Sequence, residues 1–150
     1  MAWLDDLTVG DTRRYGPRAV TREAVLDFAR TYDPQPFHLD DEAAAKTHFG
    51  RLAASGFQTA SLMMAMFVEG EPQDGGTMGG IGIDELRWLA PVYPGDTLTM
   101  EGEVLAVTPS RSKPDRGSSR VRWTAFNQDS KPVLSLIAIG LHRRRGDRTS

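Results

Sequence analysis

Hydrophobic positions along this chain follow two different periods, and the period changes near the middle. From residue 22 to 32, Val25, Leu26, Phe28, Ala29 and Tyr32 recur at helical spacing, which predicts one amphipathic helix. Thr21 suits its N-cap and Glu23 its dipole. Pro34 ends it, because the residue before a proline is pushed out of the right-handed helical region. A second, short helix fits "DDEAAAKTHF", with Asp40 or Asp41 near its start. Next comes "GFQTASLMMAMFVEG", in which nine of the twelve residues from Phe57 to Val68 are apolar. A helix apolar almost all round must be surrounded by protein, and this one is too short to cross a bilayer. Gly70 suits its C-terminal stop.

The second half reads as strands. "TMGGIGIDELRWLAPVY", "DTLTMEGEVLAV", "SSRVRWTAFNQ" and "PVLSLIAIGLHRR" are β-type runs. Turn residues part them at Pro94-Gly95-Asp96, in the polar stretch 108–119, and at Asp129-Ser130-Lys131. Successive strands joined by short turns imply an antiparallel sheet, since parallel neighbours need long crossovers. The last run, from Val133 to Leu141, is apolar on both alternating sets apart from Ser135 and Gly140. One set can cover the central helix, and the other needs a cover of its own. The order of elements gives an α+β fold, a curved antiparallel sheet wrapped around a buried central helix. With no repeat and no linker, residues 1–150 read as a single domain. An open sheet edge favours a second copy, as a homodimer or a dimer of dimers.

Composition narrows the function more than the fold. The chain of 150 residues has a net charge of −2 and no cysteine. The charge gives no footprint for nucleic acid. The missing cysteines exclude disulfides, thiolate catalysis and Cys-ligated zinc, and they fit a reducing cytoplasm. The N-terminal stretch "MAWLDDLTVGDTRRYG" lacks the apolar core of a signal or a membrane span, so no membrane is expected. The basic tail "HRRRGDRTS" reads as a solvated end.

The chemistry gathers in "TYDPQPFHLD", residues 31–40. Asp33 and His38 lie about 17 Å apart in an extended chain, and so meet only if the backbone turns between them. Pro34 and Pro36 stiffen that connector and remove two backbone donors. A positioned carboxylate and an imidazole titrating near neutrality form an acid/base pair. Asp-Pro is equally ordinary turn chemistry. Gly56, at the start of the central helix, has backbone N–H groups without intrahelical partners, and no side chain to keep a substrate carbonyl away. Those groups can stabilise an oxyanion. Ser55 can instead simply cap the helix, and Gly56 simply permit close packing. His38 and His48 fit no familiar zinc spacing, so no metal is expected. His142, among arginines, reads as a surface residue. The methionines at 63, 64 and 66 read as core filling.

These residues resemble the MaoC-like dehydratases, which include the (R)-specific enoyl-CoA hydratases, of the hot-dog fold. "DPQPFHLD" followed by "FGRLAASGFQTASL" is similar to that family's Asp-x-Asn-Pro-x-His-x-Asp, aromatic-Gly and His-Gly signature, and "LRWLAPVYPGDTL" to its Pro-Val-x-x-Gly-Asp strand end. Asp33, Pro36, His38 and Asp40 match; Gln35 replaces the usual Asn, and Ser55 stands where His is common. The resemblance implies that Asp33 and His38 activate a water. That water adds across the C2–C3 double bond of an acyl-CoA, while the Gly56 N–H polarises the thioester carbonyl. Ser55, Gln35 and Phe57 would complete the oxyanion and substrate site. It also implies a homodimer with CoA near the subunit interface, and no cofactor beyond the CoA thioester substrate. A hot-dog acyl-CoA thioesterase and a non-catalytic acyl-thioester-binding subunit are the alternatives. Arg51, Arg111, Lys113, Arg116 and Arg143 to Arg145 are the cations available for CoA phosphates.

Overall fold

A computed structural model describes residues 3–146. A short 3-10 turn at Leu4–Asp6 leads into β1 (Thr12–Ala19), and then α1 (Arg22–Tyr32). A 3-10 turn at Pro36–His38 and the short α2 (Asp41–Ala45) carry the chain to α3 (Gly56–Gly70). Four long strands complete it: β2 (Thr77–Trp88), β3 (Thr97–Pro109), β4 (Arg116–Phe126) and β5 (Pro132–Arg143). All pairings are antiparallel, in one five-stranded sheet of order β1-β3-β4-β5-β2. The four strands of the second half and helices α1 and α3 fall where the pattern of residues puts them.

α1 begins as its sequence dictates, with the Thr21 hydroxyl accepting from the Ala24 N–H at 3.1 Å. Asp40 caps α2 in the same way through the Ala43 N–H. The strand β1 has no counterpart in the sequence reading. Its residues "TRRYGPRA" are polar on both faces, and Pro17 interrupts them. Pairing with β3, distant in sequence, is what makes it a strand.

The core lies between α3 and the inner face of the sheet, where Met63 and Met66 meet Leu98, Met100, Val104, Val121, Trp123 and Leu134. Two expectations meet the structure here. First, α3 is not wrapped all round. Phe57 is 62% and Met64 60% exposed, so a full face of this apolar helix is open in the single chain. Second, the cover that the other apolar set of β5 needs is present at the start of the strand, where Val133 and Leu134 are both 0% exposed, while Ile139 and Leu141 farther along are only half-buried. The backbone N–H groups of Leu89 and Ala90 donate to the Val133 carbonyl, holding the segment after β2 against that strand.

The segment after β2 also positions the site. Asp96 is buried and accepts from the Tyr93 N–H and the Gln128 amide, while its carbonyl accepts from the Val20 N–H. This knot fixes Val92, whose carbonyl accepts from the Ala54 N–H at 2.8 Å, next to the start of α3. The basic tail is tied down as far as it is described: Arg145 pairs with Asp6 and Arg144 donates to the Asp115 carbonyl. Residues 147–150 of that tail lie outside the described residues. Among the described residues, no helix is long and apolar enough to cross a membrane.

Candidate active site

The proline-rich connector bends as the chemistry requires. Asp33 ends α1 and donates its N–H to the Ala29 carbonyl. The Gln35 N–H donates to the Asp33 carbonyl and the His38 N–H to the Gln35 carbonyl, closing two successive turns. Pro36 begins the second turn, where a proline's missing N–H costs nothing. The side chains of Asp33 and His38 consequently converge, with Asp33 Oδ2 3.3 Å from His38 Nε2.

The orientation of the imidazole is set from behind. His38 Nδ1 lies 2.7 Å from the Ala53 carbonyl oxygen. A carbonyl only accepts, so Nδ1 carries the hydrogen and Nε2 is the atom facing Asp33. Phe37 and Phe49 pack around the ring at centroid distances of 4.6 and 6.0 Å. Nothing in the sequence marks Ala53 for this part, because a backbone carbonyl carries no residue signature.

Asp33 is held as an anion from two sides. The Gln35 amide donates to Oδ1 at 2.6 Å, and the Ser55 hydroxyl donates to Oδ2 at 2.8 Å. Burial pushes this carboxyl up, but the hydrogen bonds from Gln35 and Ser55 and the charge of His38 outweigh it. The net effect holds Asp33 below its ordinary range. Ser55 therefore does not cap α3, and its side chain makes no bond to the helix. Gln35 reaches Asp33 while remaining exposed and does not line the cavity in front of the pair.

That cavity measures about 430 Å³ and is bounded by Asp33, His38, Ser55, Gly56, Phe57 and Trp88 among others. Among the described residues, no group accepts from the Gly56 N–H at the first turn of α3. The Trp88 indole closes over this glycine, so that a β-carbon there would stand 2.3 Å from Nε1. Phe57 meets the same indole edge to face at 5.3 Å. His48, considered from sequence only as a metal ligand, lies on the wall stacked on Phe49 at 4.1 Å. Among the described residues, no group of three acidic or histidine side chains is placed to hold a metal. Arg51 lies 3.9 Å over the Tyr93 ring, whose hydroxyl donates to the carbonyl of Phe49, a residue of the cavity wall; neither Arg51 nor Tyr93 lines the cavity itself. His142 is not at the surface but buried, far along the sheet.

A carboxylate and an imidazole lining the same cavity as a helix N-terminus with an unengaged N–H at Gly56 can move protons to and from a carbonyl compound whose oxygen that N–H holds. A curved antiparallel sheet laid against one long helix is the hot-dog fold, here with such a pair at the helix mouth. The family model described as MaoC like domain matches residues 6–124, and the chain belongs to that family. It is 30% identical over 131 residues to the Uncharacterized protein YdeM of Bacillus subtilis, covering 87% of this chain and 92% of that one. It is 33% identical over 113 residues to a 3-hydroxybutyryl-CoA dehydratase of Methylorubrum extorquens, covering 74% and 69%. The crystal structure of the MaoC-like dehydratase from Rhodospirillum rubrum superposes with a TM-score of 0.89 at 43% identity, covering 95% of this chain and 97% of that one.

Proposed function

We propose that this protein is a hydro-lyase that adds water across the C2–C3 double bond of an acyl-CoA, or eliminates it in reverse. The observation that carries the reading is the 3.3 Å approach of Asp33 Oδ2 to His38 Nε2 on the wall of a cavity that also holds the Gly56 N–H. The family supports the reaction class, and the relative named 3-hydroxybutyryl-CoA dehydratase supports a CoA thioester.

In the hydration direction, the thioester carbonyl accepts from the Gly56 N–H, which draws electrons from C3 toward oxygen. A water held between Asp33 and His38 forms the C3–O bond as the C2=C3 π bond breaks. The water's surplus proton passes to the pair, and the electrons released at C2, held as an enolate, take a proton from it. Water is thus added with no net change in the protein. Ser55 and Gln35 keep Asp33 ionised so that it can accept the proton, and the Ala53 carbonyl keeps Nε2 turned toward it. Phe57 and Trp88 shield the carbonyl site. Arg51, whose guanidinium lies over Tyr93, is one of the cations this reading offers to a CoA phosphate. The chemistry calls on no cofactor beyond the CoA of the substrate.

The reading includes a homodimer through β2. This strand is a sheet edge with Ile81 and Ile83 exposed, and it flanks the open face of α3. The opposite edge, β1, carries Arg13, Arg14 and Arg18, with Pro17 and a register shift, features that discourage pairing.

The test is turnover of short trans-2-enoyl-CoA, followed by loss of the conjugated chromophore, with thiol release measured in parallel. Asp33→Ala and His38→Ala should each cut turnover by about 10²–10⁴-fold while the fold persists. Parent-like hydration in both variants defeats the proposal. Thiol release from saturated acyl-CoA without hydration would point to a thioesterase, and tight binding without turnover to a binding subunit.

A further inference from the structure

A second hollow, of about 530 Å³, lies farther along α3. The first cavity touches the helix at Gly56, Phe57 and Thr59; the second begins at Ala60 and runs past Met63 to Phe67. At 1.5 Å per residue, the helix from Gly56 to Phe67 spans about 16 Å, so the two hollows follow one another along a single wall. Its other walls are almost wholly apolar, and no Asp, Glu, Lys or Arg lines it among the described residues.

Apart from the exposed Thr77, one buried polar pair interrupts that lining, and the strands are arranged to admit it. Gly80 on β2 pairs with Gly140 on β5, which pairs with Ser119 on β4. His142 is two residues beyond Gly140 on the same face, and its imidazole folds back so that Nε2 lies 2.7 Å from Ser119 Oγ. A β-carbon at Gly140 would stand 2.8 Å from Nε2 and 3.3 Å from Oγ, so only glycine leaves room for the pair. Ser119 and His142 are 3% and 4% exposed, and both line the hollow. Placing two polar side chains in an apolar hollow costs desolvation free energy that hydrocarbon in the same positions would not.

We propose that this hollow receives the far part of the acyl chain, and that Ser119 with His142 selects chains bearing a hydroxyl there. The inference rests on the acyl-thioester reading of the first cavity. If Ser119 donates to Nε2, its oxygen still accepts; if Nε2–H donates to Ser119, the serine hydrogen is still available. A hydroxyl, which both donates and accepts, suits either arrangement. A carbonyl oxygen suits only the second. A carboxylate would be stripped of water with no cation to meet it. A plain alkyl end covers the serine hydroxyl without using its second hydrogen-bonding position.

Saturated acyl-CoAs from octanoyl to dodecanoyl cannot be hydrated, so their binding is separable from turnover. Calorimetric titration should show the terminally hydroxylated member binding about three- to tenfold tighter than its plain counterpart at one or more chain lengths. Ser119→Ala and His142→Gln should each bring that ratio close to unity, with thermal melting confirming a folded protein. No preference at any length in the parent overturns the inference, and this result depends on neither variant. A preference that survives both substitutions overturns the assignment to these residues. If neither ligand series binds, the acyl-CoA reading itself fails and the inference falls with it.

Discussion

Replacing Ser55 by alanine removes one hydroxyl from a fully buried position and leaves the backbone of α3 free to start as before. The loss falls on Asp33, whose Oδ2 accepts from that hydroxyl at 2.8 Å. A hydrogen bond to a charged group contributes about 1.5–3 kcal/mol, and one pKa unit corresponds to about 1.36 kcal/mol. Losing that bond removes support from the ionised form, so the Asp33 carboxyl rises in the variant. In the parent it sits below the ordinary carboxylate range, because its bonds from Gln35 and Ser55 and the charge of His38 outweigh burial. Asp33 must be ionised to take a proton from water, so parent kcat/KM should hold as pH falls to about 4, the usual aspartate value. The acid limb of Ser55→Ala should move to higher pH. Stability follows the same sign: what Asp33 contributes is complete above its unfolded-state value and is lost as pH falls through the lower folded value. The variant has less to lose. The assay is kcat/KM for a short enoyl-CoA against pH, with carboxyl-carbon NMR titration of Asp33 as a readout independent of turnover. An Asp33 titration midpoint equal in parent and variant would refute the reasoning, and Ser55 would be mere filling.

Two other perturbations follow from the same site and its neighbouring sheet edge. Gly56→Ala places a methyl inside the space of the Trp88 indole, which is half exposed and can swing away. Turnover should fall by about tenfold or more, short of the 10²–10³ lost when an oxyanion donor is deleted, and indole fluorescence should change; unchanged kinetics would remove Gly56 from the carbonyl site. Ile83→Lys puts a charge on the exposed apolar edge of β2, and sedimentation velocity should show the parent as a dimer and the variant shifted toward monomer. A parent that sediments as a monomer would dismiss the β2 interface.

What the residue pattern revealed and what it hid divide by distance along the chain. α1 was legible because Thr21, the apolar spacing and Pro34 all act within a few residues of one another. The meeting of Asp33 with His38 was legible because the two prolines forbid the straight path between them. The Ser55 to Asp33 bond spans 22 positions, and a serine before a glycine and an apolar run looks like a cap. β1 was hidden because its partner β3 lies far along the chain, and nothing in "TRRYGPRA" alternates strongly enough to announce it. His142 was misread because its arginine neighbours suggest solvent. Only the glycine two residues earlier, opposite Ser119, shows that its ring turns inward.

The tie from His38 Nδ1 to the Ala53 carbonyl reaches beyond its local geometry. With one ring nitrogen committed to the backbone, every proton this imidazole exchanges with a substrate must travel through the other, on the side where Asp33 stands. A thioester pinned by its carbonyl presents that side with a single face of its planar carbons. Under the proposed chemistry, the hydroxyl and the new hydrogen arrive from one direction, and the handedness of the product is written into a single backbone contact.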